Sequence, residues 1–180
     1  MTNVQKLADT AHKLGADNTA VVLVSEIAFN RQFRDMCAKN TCGHYGACWM
    51  CPPDVGDIDE MIAKAKTYNH IFVFQTISRL EDSFDIEGMN AAAKKHNELL
   101  QTLTREANNL LGYPVKLGAG ACHVCVRCAK HDNEPCRYPK NAAASLEAYG
   151  IDVSQLAELC GMRYTNGQNT VTFFGGFLFI

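Results

Sequence analysis

Cysteine is the residue type whose number and spacing point to chemistry: nine thiols in 180 residues. Eight of them fall into two groups of four. The first is Cys37, Cys42, Cys48 and Cys51, spaced C-x4-C-x5-C-x2-C and followed by Pro52-Pro53. The second is Cys122, Cys125, Cys128 and Cys136, spaced C-x2-C-x2-C-x7-C, while Cys160 stands alone. Four thiolates suit zinc or an iron–sulfur cluster, because soft sulfur donors favour such metals.

The second group carries the sharper pattern. Three cysteines separated by two residues let one tight loop wrap three corners of a cubane, and a more distant fourth closes it. This is the logic of the C-x2-C-x2-C-x3-C-P run of bacterial ferredoxins. The chain departs from that run in its x7 spacing and in Arg137 after Cys136. Zinc sites usually take pairs of C-x2-C and not a triple, so this group favours a [4Fe-4S] cluster over Zn. The preceding Gly118-Ala119-Gly120-Ala121 lets backbone N–H groups approach cluster sulfurs closely.

In the first group, Cys48-x2-Cys51 is a two-point clamp that Cys37 and Cys42 complete to four thiolates, with one structural zinc as the alternative occupant. In two-cluster ferredoxins the fourth cysteine serves the other cluster, so Cys51 and Cys136 could be exchanged. The radical-SAM spacing C-x3-C-x2-C is absent, since five residues separate Cys42 from Cys48.

Several neighbours could tune such sites. His44 and His123 lie inside the cysteine loops and could ligate metal or donate to a cluster sulfur; with four cysteines available per group, the donor role is the favoured reading. Tyr45 and Trp49 either shield a cluster from water or simply pack the loop. Arg127, Lys130, His131 and Arg137 make the second loop basic, which would dock an acidic redox partner or offset thiolate charge; a solvated face is the plain alternative. Asp54, Asp57, Asp59 and Glu60 read as the acidic start of a helix. Cys160, after Leu156, Ala157 and Leu159, reads as a small buried hydrophobe. No phosphate-binding glycine loop, Ser/His/Asp signature or HExxH is present, so no catalytic residue is assigned and a non-enzymatic electron carrier is the leading expectation.

The rest of the composition is ordinary. Lys and Arg number 17 against 19 Asp and Glu, a formal charge of −2, which argues against a partner held by phosphate charge and hence against nucleic acid. The first residues lead into an amphipathic pattern unlike a signal peptide, and the longest apolar run, Val171 to Ile180, is too short for a bilayer. A cytoplasmic protein without membrane contact is expected, where thiols stay reduced and disulfides rarely persist.

The elements that must position the cysteines follow from periodicity. A helix starts at Thr2, which makes a capping-box pair with Gln5, and buries Val4, Leu7, Ala8, Ala11 and Leu14. Ala20 to Val24 reads as a strand covered on both faces, and Ile71 to Phe74 as the next. A helix over 57–68 buries Ile58, Met61, Ile62 and Ala65. The longest helix runs from Met89 to Leu111 and stops at Gly112 and Pro114. Val115 to Leu117 is a short strand. Pro139 starts a helix that Gly150 ends, and another spans Val153 to Cys160. Val171 to Ile180 is a closing strand, with Gly175-Gly176 marking a bulge or close approach and its phenylalanines in the core or on a dimer face. The expected fold is α/β: a single compact domain over residues 1–180, with a mixed sheet of about four strands flanked by helices and two cysteine-rich metal-binding loops. Each loop follows a strand, which predicts that both lie beyond the carboxyl edge of the sheet.

The segments Cys42-Gly43-His44-Tyr45-Gly46-Ala47-Cys48-Trp49-Met50-Cys51-Pro52-Pro53 and Gly118 to Cys128 together resemble a prokaryotic family of predicted metal-binding proteins (domain of unknown function 2284). So do Pro135-Cys136-Arg137-Tyr138-Pro139 and the stretch Ser145 to Val153. The resemblance implies cysteine-bound metal on Cys37, Cys42, Cys48, Cys51, Cys122, Cys125, Cys128 and Cys136, in an anaerobic prokaryotic setting. Combined with the spacing, the expectation is two [4Fe-4S] clusters in an electron-transfer or redox accessory protein with a redox partner protein, and a homodimer as an option. A small iron–sulfur reductase or maturation enzyme and a zinc-stabilised interaction module are the alternatives.

Overall fold

Two apolar runs build the centre of the molecule, which a computed structural model describes over residues 1–180. They form strands β2 (His70–Arg79) and β5 (Thr170–Phe179), paired antiparallel from His70↔Phe179 to Arg79↔Thr170. With β1 (Asn18–Leu23), β3 (Val115–Gly118) and β4 (Ala144–Ser145) they make one mixed sheet in the order β1-β2-β5-β3-β4. The α/β expectation holds, with one strand more than expected. β1 lies at the sheet edge and its middle residues are only half-buried, so it is not covered on both faces.

Side chains alternate across a strand, and both faces of the sheet are covered. Phe72, Phe74 and Phe177 pack against Leu7 and Ala11 of α1 (Asn3–Lys13) and Leu99, Leu100 and Leu103 of α4 (Ile86–Leu111). Ile71, Val73 and Leu178 face a second core with α3 (Ile58–Ala65) and α5 (Val153–Leu159). Thr2 caps α1 by accepting from Gln5 N, but the Gln5 side chain turns to Asp9 at 3.1 Å, so only half of the capping box forms. Asp85 accepts from Gly88 N at 2.7 Å, and this cap is why α4 begins before Met89. No helix is long and apolar enough to cross a membrane.

The terminal phenylalanines Phe174, Phe177 and Phe179 are core residues. Gly175 and Gly176 mark a close approach and not a bulge, since the pairing with Phe74 and Val73 is unbroken. A Cβ on Gly176 would lie 2.8 Å from the Phe72 carbonyl oxygen.

Two further expectations fail. Residues after Pro139 form a turn, with Asn141 N and Ala142 N donating to Tyr138 O, and the chain then enters β4 in place of a helix. β4 pairs parallel with β3 through Leu117↔Ala144, and a 3-10 turn at Glu147–Tyr149 ends at Gly150. Pairing with an open sheet edge overrides the local helical signal. The second failure concerns strand direction. β1 and β3 run opposite ways, because each is antiparallel to a neighbour in the chain β1-β2-β5-β3. Their carboxyl ends therefore point to opposite edges, and the two cysteine loops are not brought together by a shared sheet edge.

Candidate metal centre

What brings the loops together is the long excursion after β1. A bridge between Phe29 and Ile151, with Asn30 N donating to Gly150 O at 2.7 Å, carries this segment across to the β4 side. There it forms α2 (Gln32–Ala38), a helix that periodicity did not announce, which presents Cys37. Asn40 then turns the chain with φ 52° and accepts from Tyr45 N through its side chain at 3.0 Å. Cys51 N donates to Cys48 O at 3.0 Å, closing the C-x2-C turn. The second loop leaves β3 at Gly118, passes Cys122, Cys125 and Cys128, and turns through a 3-10 segment at Ala129–Asp132 before Cys136.

The loops are fastened to each other by groups other than thiols. Trp49 Nε1 donates to the Glu134 carbonyl at 2.8 Å. Lys130 Nζ lies 2.6 Å from Asp54 Oδ1 and 4.3 Å from the centroid of the Trp49 ring. The other cations of the second loop are also engaged within it: Arg127 reaches both Asp132 oxygens at 2.9 Å, and Arg137 reaches Glu134 at 3.8 Å. Pairing of this kind offsets their charge locally. Asp57 caps α3 by accepting from Asp59 N at 2.8 Å, as an acidic helix start should, whereas Asp54 belongs to the clamp.

All nine cysteines are free thiols. Cys48 is 2% exposed and, with Cys122, Cys125, Cys128 and Cys136, lines a small apolar cavity closed by Trp49 and Tyr138. Cys37, Cys42 and Cys51 do not line it. Cys42 is exposed and Cys37 and Cys51 are half-buried; Cys42 lies close enough to raise the thiols of Cys37 and Cys51, and Cys37 close enough to raise that of Cys51. Hydrogen bonding from the Cys51 thiol, backbone donors at Met50 and Cys122, and the Cys128 thiol lower Cys48 to about 5, against the opposing effect of burial. Cys51 is pushed up by the same pairing with Cys48 and by burial. Burial pushes Cys122 up as well. No three His, Cys, Asp or Glu side chains converge on one point at the spacing of a single bound ion.

His44 and His123 meet edge-on across the two loops, ring centroids 6.3 Å apart. Burial and the neighbouring His44 hold His123 below the usual imidazole range. Cys160 caps α5 beside the second core, and burial raises its thiol to about 11, consistent with a packing role.

Sequence reasoning missed three features. Arg34, one turn before Cys37 on α2, has a buried Nε without a partner, and its Nη2 reaches only the Ala148 carbonyl at 3.3 Å. The Glu147 carboxyl, raised chiefly by burial, lies near enough to Cys37 to raise its pKa. An open groove of about 720 Å³ runs between Asn90, Lys94 and Asn97 of α4 and the loop around Cys122 and His123. None of these had a signal in spacing, because each depends on which distant segment packs beside it.

A protein-family profile described as "Predicted metal-binding protein (DUF2284)" matches residues 20–179. The chain belongs to this family of predicted metal-binding proteins. No curated protein and no solved structure matches it.

Proposed function

We propose that this predicted metal-binding protein is an iron–sulfur protein. It holds two [4Fe-4S] clusters on its two cysteine regions and passes single electrons to a redox partner protein. The observation that carries the reading is that five thiols, drawn from both sequence groups, line one apolar cavity beside Trp49 and Tyr138. The donor set fits the group. Every cysteine is free, the cavity carries no competing carboxylate, and backbone N–H groups of Met50 and Cys122 point at the Cys48 sulfur. Such donors spread the negative charge of thiolate-bound iron, and an apolar surround sets its potential. A cluster bound there would supply one-electron chemistry. The loops around it are held by the Trp49, Lys130 and Asp54 clamp, which needs no metal. Reduced thiols of this kind suit an oxygen-poor cytoplasm.

A second reading, a small iron–sulfur reductase or maturation enzyme, is favoured by the groove beside Cys122 and Cys125, which is large enough for a small substrate.

The test is purification without oxygen, followed by iron, acid-labile sulfide and zinc analysis with a visible spectrum. About eight iron and eight sulfide per chain, as two cubanes require, is the expected result. A colourless protein with zinc and no sulfide would replace this reading with a zinc-stabilised interaction module.

A further inference from the structure

Next to the thiol cavity, a separate cleft of about 320 Å³ opens between α3, the start of β3 and the segment leading into β4. Its walls are largely apolar: Met50 and Val55 come from the first cysteine loop, Met61 from α3 and Val115 from β3. Met50 and Ala142 line both this cleft and the thiol cavity, so the two spaces share a wall.

The three polar side chains that line the cleft can all donate a hydrogen bond. Lys64 and Lys116 are the only charged residues there, and neither makes an ion pair. Lys116 Nζ donates to the Lys140 carbonyl at 2.6 Å, which leaves the rest of its three N–H groups for another acceptor. Burial holds Lys116 below the usual lysine range, and the Cys122 thiol opposes that only in part. Lys64 Nζ lies over the Tyr149 ring, 5.8 Å from its centroid. Tyr149 is 5% exposed, and its hydroxyl has no hydrogen-bond partner within the protein.

An apolar pocket whose polar groups are two cations and a hydroxyl selects a ligand that is anionic at one end and hydrocarbon elsewhere. A carboxylate has lone pairs for all three donors, and charge-assisted hydrogen bonds are the strong ones. A second charge on the ligand would lie against Met50, Val55 and Met61, where nothing pairs it.

We propose that this cleft binds a small organic acid, its one carboxylate held by Lys64, Lys116 and the Tyr149 hydroxyl and its short hydrocarbon body set against Met50, Val55, Met61 and Val115. The inference goes beyond the iron–sulfur reading and does not depend on it, since none of these groups is a cysteine.

The test is calorimetric titration of the full chain, purified without oxygen, with hexanoate as the probe. Acetate lacks the hydrocarbon body and hexanamide lacks the charge, so these two serve as comparison probes. One hexanoate bound per chain is the expected result. Acetate should bind on the order of a hundredfold more weakly, through the loss of four methylenes. Hexanamide should bind about tenfold more weakly, through the loss of charged hydrogen bonds. Lys116→Met keeps most of the stem and should weaken hexanoate binding by about tenfold. Tyr149→Phe keeps the buried ring and should weaken it by about fivefold. Thermal denaturation checks each variant, and Lys64→Met, at an exposed position, takes the place of Lys116→Met if that chain does not fold. No saturable hexanoate binding would overturn the site. Equal affinity for hexanoate and hexanamide would overturn the role of the two cations. Hexanoate affinity unchanged in every folded variant would overturn the placement in this cleft.

Discussion

Lys130 and Asp54 sit 76 residues apart in sequence, and their charged groups meet at 2.6 Å between the two cysteine loops. Their side chains are only 18% and 16% exposed, and the ammonium also lies over the Trp49 ring. Water screens this pair far less than it screens a surface bridge. The clamp holds the loops in register before any metal arrives.

Lys130→Ala strips the largely buried Asp54 carboxyl of its partner, with Oδ2 already lacking one. A stability loss of about 2 kcal/mol in urea is expected, from the broken pair and the lost cation–π contact. A change under about 0.5 kcal/mol, the range of an ordinary surface substitution, would show the clamp to be incidental.

His96 makes the fold sensitive to acid. Its ring stacks on Phe74 with centroids 5.1 Å apart, Nδ1 meets Thr76 Oγ at 2.8 Å, and Nε2 has no partner. Burial lowers its pKa from 6.5 to about 4. The unfolded chain therefore takes up a proton that the folded chain refuses, and stability falls as pH drops from about 6.5 toward about 4, by on the order of 3 kcal/mol. Urea melts across that range for the natural chain and His96→Leu would test this. Equal pH slopes in the two proteins would rule His96 out as the source.

Gly176→Ala tests the centre of the sheet. The added methyl would meet the Phe72 carbonyl oxygen at 2.8 Å and the Ile71 side chain at 3.1 Å. Because one of these neighbours is backbone, β2 and β5 must separate to make room, and a loss of about 2 kcal/mol or more is expected. Thermal denaturation close to that of the natural protein would mean that the strands yield more easily than this packing implies.

Cysteine substitutions should sort by place. Replacing Cys125 and Cys128 together by Ser leaves three thiols in the five-cysteine cavity, one short of a cubane's four, and is expected to lower bound iron and sulfide by about half. Cys160→Ser, remote from the cavity, should leave metal content unchanged. Equal metal content in the double variant and the natural chain would remove this cavity from the ligand set.

The elements with strong periodicity were legible in the sequence: α1 with its Thr2 cap, α4 with its Gly112 stop, and the apolar strands β2 and β5. Local forces dominate there, since helix caps and alternating burial act within a few residues. The helix expected after Pro139 was lost because Ala144 and Ser145 pair with β3, a partner that no local pattern announces. α2 escaped notice because it has no fully buried residue and hence no apolar stripe to read.

The cysteine loops divide in the same way. Sequence by itself determined that the chain has the thiols for cysteine-bound metal and where they cluster along it, because C-x2-C spacing is a property of a single turn. Only the tertiary structure decided which thiols lie side by side. Cys48 pairs with Cys51 of its own group and also lines the second loop's cavity, and Arg34 and Glu147 came to stand near Cys37. Those neighbours depend on the crossing held by Phe29 and Ile151 and on the clamp between Asp54 and Lys130. Contacts between segments so far apart depend on how the intervening sheet and helices pack, and that packing has no signature at short range.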